Sequence, residues 1–222
     1  MSQNLIKRIY SSVSIFFIFF ICFFGHKNLF ITLIFFCCIL TFLEWIKIVE
    51  KIKFKNYFLK RFIIFLSYLY IFFTGLVFYK FYITEKYIFL IILLICIFSD
   101  IGGYVFGKIF GGTKLTKISP NKTISGAIGS FVFSIFIFYI VLFLYNSFSL
   151  DNKLSLLWVP LYYSLICQLG DLFISFFKRK ARIKDTGKLI PGHGGILDRI
   201  DGIIFAIPVG TYILSLFIVE KK

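Results

Sequence analysis

The 222-residue chain is 59% hydrophobic and 16% charged, with a mean hydropathy of +0.94 and a formal net charge of +15. A soluble domain of this length has too little interior to hide so much apolar surface, so the composition excludes a globular protein without a bilayer around it. The cations are spread over separate loops between apolar runs, which argues against a nucleic-acid-binding surface.

A spanning helix needs about 20 largely apolar residues. Seven runs qualify, near 9–25, 28–46, 61–80, 86–107, 124–146, 154–177 and 202–219, predicting an all-α polytopic membrane protein. An eighth is left open if a segment is split or re-entrant. The first run lacks a small-residue cleavage site after it and reads as a retained helix, not a signal peptide. Only "HK" separates it from the second run, which predicts a tight helical hairpin. All five cysteines (Cys22, Cys37, Cys38, Cys96, Cys167) lie inside apolar runs without a CxxC pair, and read as reduced, buried thiols.

Charge asymmetry orients the stack. With the N-terminus cytoplasmic, 19 of the 25 Lys and Arg fall inside: Lys7, Arg8 and the clusters around 47–61, 108–122 and 178–199. Lys27, Lys80, Lys86, Lys153, Lys221 and Lys222 fall outside. The long, Gly-punctuated polar loops therefore share the cytoplasmic face, where nucleotides are. Much of the 47–61 cluster is explained by topology and by attraction to anionic headgroups.

Acids inside apolar runs are costly and usually face a polar cavity or a cation. Glu44 has Lys47 three residues on and reads as a local helical pair. Asp100 and Asp171 lack such an excuse. Asp100, Tyr104 and Lys108 recur along one predicted helix face, as do Asp171, Ser175 and Lys178 on another. Asp198 and Asp201 share a face if "ILDRIDG" opens the last helix. Convergence of these three acid-bearing segments would make a divalent-cation site suited to Mg²⁺, which binds through one or two carboxylates plus substrate phosphates. The "FGGTKLTKISPNKTISG" loop supplies Lys114, Lys117 and Lys122, the hydroxyls of Ser119 and Thr123, and the N-terminus of the following helix. Gly103 and Gly107 also fit simple small-xxx-small helix packing.

From Ser175 to Asp201 the chain reads "SFFKRKARIKDTGKLIPGHGGILDRID", preceded by "GDLFIS" over 170–175. This resembles the signature of the phosphatidate cytidylyltransferases, the CDP-diacylglycerol synthases. "SDIGGYVFGKIFGG" and "KISPNKTISG" are similar to the family's second conserved region. The resemblance covers about the last 120 residues, and over 1–95 it is hydropathic only. Gly103 stands where the family commonly has Ala, and Ile124–Ser125 where it has an aromatic residue followed by Glu.

The resemblance implies transfer of the cytidylyl group of CTP to phosphatidate, giving CDP-diacylglycerol and pyrophosphate, in a helical fold whose polar cavity opens to the cytoplasm and to lipid. It implies N-terminal spans over 1–85 and a catalytic region over 86–222, with loops near 108–123 and 178–200. Asp171 and Asp198 are implied as ligands of a Mg²⁺ that the family pairs with a monovalent cation such as K⁺. Asp201, Ser119, Lys122, Thr123, Lys178, Arg179, Lys184, Asp185, His193 and Arg199 fall on its other conserved polar positions. Of these, Lys178, Arg179, Asp201 and His193 are assigned to catalysis, and Ser119, Lys122, Thr123, Lys184 and Arg199 to substrate binding. For His193 a hydrogen bond to phosphate and a loop-orienting role are both open. The expected partners are CTP, phosphatidate and membrane lipids, with a homodimer left open, in a bacterial inner membrane. Two other readings remain: a CTP-dependent polyprenol or phytol kinase, and a non-enzymatic transporter or lipid-binding protein.

Overall fold

The computed structural model describes the backbone of residues 3–144, 157–192 and 194–219. The predicted span ends at 145–146 and 154–156, and Lys153, His193, Lys221 and Lys222, lie outside the described residues. Eight helices are formed among the described residues: α1 (Gln3–Phe24), α2 (Lys27–Lys51), α3 (Tyr57–Thr84), α4 (Lys86–Phe110), α5 (Ile124–Leu144), α6 (Trp158–Lys180), the single turn α7 (Leu197–Ile200) and α8 (Ile203–Val219). The five from α2 to α6 are long and apolar enough to cross a membrane, and Tyr10–Phe24 and Ile203–Tyr212 are shorter apolar segments. Each predicted run has its helix, and the chain is an integral membrane protein. Several helices outlast their apolar runs, because backbone hydrogen bonding continues into polar residues at the membrane boundary, where hydropathy has already fallen. Of the most apolar window of α3 only 17% is buried, and Phe65, Phe72 and Phe73 stand exposed, as lipid-facing side chains do.

Contacts divide the chain into two units, one formed by Met1–Tyr79 and Phe177–Ile200, the other by Lys80–Phe176 and Asp201–Lys222. In the first, α1 and α2 form the predicted hairpin. His26 caps α2, its Nδ1 accepting from the Asn28 N–H at 3.4 Å. Phe30 packs on Phe19 and Phe23, with ring centroids 5.8 and 5.1 Å apart. Along α2 the residues Thr41, Glu44, Trp45, Ile48 and Val49 recur at helical spacing and are all buried, so one stripe faces protein. The Trp45 indole N–H donates to Ser67 Oγ on α3 at 2.6 Å, and its ring meets Phe177 at 4.9 Å. α6 stops in a defined way: the Ile183 N–H reaches the Lys178 carbonyl and the Arg182 N–H that of Arg179, both at 3.0 Å. Arg182 sits between them at φ 56°, in the left-handed conformation this helix ending requires.

In the second unit α4 and α5 are in backbone contact through glycines. The Gly102 and Gly129 carbonyls each press where the other glycine's side chain would stand, and a Cβ on Gly126 would come within 2.7 Å of the Gly103 carbonyl. Small-residue packing therefore accounts for Gly103 and Gly107. Hydroxyls tie the same unit: Ser99 on α4 and Ser164 on α6 are 2.8 Å apart, and Gln168 Nε2 donates to Ser164 at 3.3 Å.

The glycines are not equivalent. An added Cβ at Gly102 meets the Gly129 carbonyl and lies 2.7 Å from Phe133 Cβ, whereas at Gly103 it meets Ser130 Oγ, a rotatable hydroxyl, at 2.7 Å. Gly102→Ala should therefore lower the thermal stability of the detergent-solubilised protein by about 1–3 kcal/mol. Gly103→Ala should be close to neutral, and equal melting temperatures for the two variants would contradict this packing.

Candidate active site

The polar loop that follows α6 belongs to the first unit and is organised by two carboxyl side chains. Asp198, at the start of α7, takes two backbone donors on Oδ2, the Thr186 N–H at 2.7 Å and the Gly195 N–H at 3.0 Å, with the Thr186 hydroxyl also within reach at 3.0 Å. Its Oδ1 faces the Lys178 ammonium at 2.9 Å, an ion pair whose side chains are only 12% and 8% exposed. Burial pushes the Asp198 pKa upward, but the Thr186 and Gly195 N–H groups and the Lys178 charge outweigh it, and the net shift is below the usual carboxylate value. Asp198 is thus held ionised beside a cation.

The second carboxyl side chain is Glu44, 1% exposed on α2. The local pair expected with Lys47 is not what holds it. Oε2 accepts from the Thr186 hydroxyl at 2.7 Å and the Leu197 N–H at 2.9 Å, and Oε1 accepts from the Ile196 N–H at 3.1 Å. Glycines allow both carboxyl groups to press on the loop. A side chain on Gly195 would collide with Thr186 Oγ1 and Glu44 Oε2, one on Gly187 would lie 2.7 Å from Glu44 Oε1, and one on Gly194 would lie 2.8 Å from Asp198 Oδ2. Gly194 also has φ +89°, and its strand-like bridge to Ile190 closes the loop's turn. Lys184, Asp185 and Arg199 are exposed around this frame, and His193 is outside the described residues.

In the second unit Asp171 pairs with Lys122, and Ser175 Oγ donates to Asp171 Oδ1 at 3.2 Å, the one-turn link expected from the sequence. The Asp171–Lys122 pair is about a quarter exposed on each side. On α4 the Lys108 ammonium lies 5.9 Å from the Tyr104 ring centroid, which confirms that those two share a face. The loop before α5 is a small hairpin: Lys114 bridges Thr123, the Leu115 N–H donates to the Lys122 carbonyl and the Ile124 N–H to the Thr113 carbonyl. Thr123 caps α5, its Oγ1 accepting from the Gly126 N–H at 3.1 Å. Two of the N–H groups expected to be open to an anion there, those of Ile124 and Gly126, are thus already used. Ser125, standing where the resembled family commonly has Glu, donates to the Gly111 carbonyl and so ties the start of α5 to the end of α4. Ser119 contributes backbone to the same hairpin, its N–H donating to Thr116 Oγ1 and its carbonyl accepting from Lys122. A shallow recess of about 430 Å³ is lined by Lys114, Leu115, Thr116, Lys117 and Pro120, not by Ser119 or Thr123.

Asp201 does not continue a helix from Asp198. α7 ends at Ile200, the Gly202 N–H folds back to Asp201 Oδ1 at 2.9 Å, and α8 opens at Ile203. The condition for a shared helical face is not met, because Gly202 must pack against the α6 backbone, where a Cβ would come 2.8 Å from the Cys167 carbonyl. Among the described residues no three His, Cys, Asp or Glu side chains gather as a ready-made metal cluster. The donor chemistry nevertheless fits Mg²⁺. Asp198 and Asp171 each present a hard oxygen toward an ammonium, and Mg²⁺ needs only one or two such ligands from protein when phosphates supply the rest.

The model of the family described as "Cytidylyltransferase family" matches residues 52–217. Phosphatidate cytidylyltransferase of Staphylococcus haemolyticus (strain JCSC1435) is 41% identical over 150 residues, 64% of this chain and 55% of that protein. That of Rickettsia bellii (strain RML369-C) is 42% identical over 136 residues, 58% of this chain and 59% of that protein. That of Staphylococcus aureus (strain COL) is 43% identical over 150 residues, with 64% and 55% covered. The chain thus spans a little over half the length of these relatives.

Because the folded-state pKa of Asp198 is depressed, its contribution to stability is complete above the unfolded carboxylate range and is lost as pH falls through the folded value. The melting-temperature gap between wild type and Asp198→Asn should therefore be constant from pH 7 to about 5 and close below about pH 4. A gap independent of pH down to 3 would refute the ionised pairing.

Proposed function

Since the chain belongs to the cytidylyltransferase family, we propose that it transfers the cytidylyl group of CTP to phosphatidate, forming CDP-diacylglycerol and pyrophosphate. The observation that carries this reading is Asp198, kept ionised on a glycine-walled loop with the Lys178 ammonium on its second oxygen. The carboxylate, the cation and the close-approach backbone are the parts that phosphate chemistry needs.

The attacking atom is a phosphate oxygen of phosphatidate, already ionised at neutral pH, so no general base is required. The barrier is repulsion between that anion and the triphosphate, and catalysis is chiefly charge neutralisation and in-line positioning. Asp171 and Asp198 are the proposed Mg²⁺ ligands. The bound ion supplies positive charge to the reacting phosphates, with K⁺ as its proposed companion. Lys122 and Lys178 are proposed to hold phosphate oxygens, each from a position where it now neutralises a carboxylate. Arg179, Lys184 and Arg199 add cations at the same loop. Ser119, Thr123, Asp201 and His193 are retained as proposed polar contacts or loop-shaping groups. An alcohol phosphotransfer to a polyprenol would need a base at the acceptor. Here the carboxylates named above are committed to cations or backbone N–H groups, which favours the cytidylyl transfer. The bacterial relatives support a location in the inner (plasma) membrane, and the 19-to-6 asymmetry of Lys and Arg supports cytoplasmic basic loops.

Purified protein given CTP, Mg²⁺ and phosphatidate should release pyrophosphate, and label in the CTP α-phosphate should enter lipid. Entry of γ-label alone would establish a kinase instead. Asp198→Asn and Asp171→Asn should each lower turnover by about 100-fold or more with expression intact, and chelator should abolish the wild-type rate. Lys122→Ala should lower kcat/KM for CTP by about tenfold, and unchanged kinetics would leave that lysine a determinant of topology only.

A further inference from the structure

Glu44 belongs to none of the sequence motifs, and it lies before residue 52, where the family match begins. Its environment is nevertheless specific. It is almost completely buried, and its two carboxyl oxygens collect three donors from a loop about 150 positions later in the chain: the Thr186 hydroxyl, the Ile196 N–H and the Leu197 N–H. Thr186 has a single hydroxyl hydrogen and two carboxyl oxygens within reach, Glu44 Oε2 at 2.7 Å and Asp198 Oδ2 at 3.0 Å. The shorter distance assigns that hydrogen to Glu44. The Thr186 backbone N–H, at 2.7 Å, is left to serve Asp198. One residue is thereby clamped between the two acids, and the next segment, 195–198, is clamped in the same way: the Gly195 N–H goes to Asp198 and the two following N–H groups go to Glu44.

We infer that Glu44 is a positioning residue: from the membrane-spanning helix α2 it fixes the loop that carries Asp198, and so sets the direction in which Asp198 presents its oxygens. It touches no reacting atom. α2 is suited to the task because the neighbouring Trp45 is itself fixed, by Ser67 on one side and Phe177 on the other. The anchoring role stands on geometry alone, and its effect on turnover rests on the function proposed above.

Glu44→Gln is the informative substitution. In either orientation the amide places an NH₂ group against at least one backbone N–H, of Ile196 or of Leu197, so the clamp is opened with little change of volume. The protein, in detergent or nanodiscs, is exposed to limited trypsin, and cleavage is followed at Lys184 and Lys188, which are exposed within the loop. Lys53 and Lys55, exposed in the α2–α3 connection, serve as internal reference. Cleavage of a locally opened segment tracks its open population, so Glu44→Gln should raise the rate at Lys184 and Lys188 by about tenfold and leave Lys53 and Lys55 unchanged. Equal rates at Lys184 and Lys188 in variant and wild type overturn the inference, as does parallel acceleration at all four sites, which would signify general loosening. If Glu44→Gln does not accumulate, Thr186→Val removes the same link from the loop side and is read in the same way. In the activity assay the Mg²⁺ concentration for half-maximal rate should rise several-fold in Glu44→Gln, with excess Mg²⁺ restoring part of the turnover and the KM for phosphatidate unchanged. An unchanged Mg²⁺ midpoint overturns the positioning role. If wild type releases no pyrophosphate, the proposed activity fails, while the trypsin comparison still decides whether Glu44 holds the loop.

Discussion

A carboxyl group taken out of water must find donors, and inside a membrane protein those donors have to come from the chain itself. Glu44 finds three of them in the loop after α6, and Asp198 finds two more in the same loop, together with the Lys178 ammonium. Losing any one of these to an unsatisfied state costs about 1–3 kcal/mol, comparable to a large share of a domain's net stability. The loop is therefore ordered by demand from two buried acids. Its backbone N–H groups are turned inward to meet that demand, leaving Lys184, Lys188 and Arg199 on the outside.

The same constraint recurs, with different chemistry, in the second unit. Asp171 is neutralised by Lys122 and braced by Ser175, while α5 is started by the Thr123 cap and fastened to the end of α4 by Ser125. Each of the two acids proposed to hold Mg²⁺, Asp171 and Asp198, carries its own cation.

Much of this was legible in the sequence. Apolar runs of about 20 residues have few folds open to them in lipid, so the seven runs read directly as helices. The i, i+4 link from Asp171 to Ser175 and the Tyr104–Lys108 contact follow from helical periodicity alone. Misreadings arose where a local explanation competed with a distant one. Lys47 stands one helical turn from Glu44 and looked sufficient, and nothing in the spacing announces a threonine 142 positions away. The turn at Asp201–Gly202 was missed for a related reason: "ILDRIDG" is periodic enough for a continuous helix, and only packing of Gly202 against α6 breaks it. The open N-terminus expected for α5 was likewise filled by Thr123 and the Thr113 carbonyl, partners that local spacing does not rank above an outside anion.

Gly187, Gly194 and Gly195 form a wall one hydrogen atom thick between two acids and the path of the chain. Such a wall can neither be thickened nor redecorated, since the smallest side chain would drive the acids off their donors. Variation in what this loop can touch must therefore be written on its outward side, where Lys184, Lys188 and Arg199 are exposed, and the inward side is closed to adaptation.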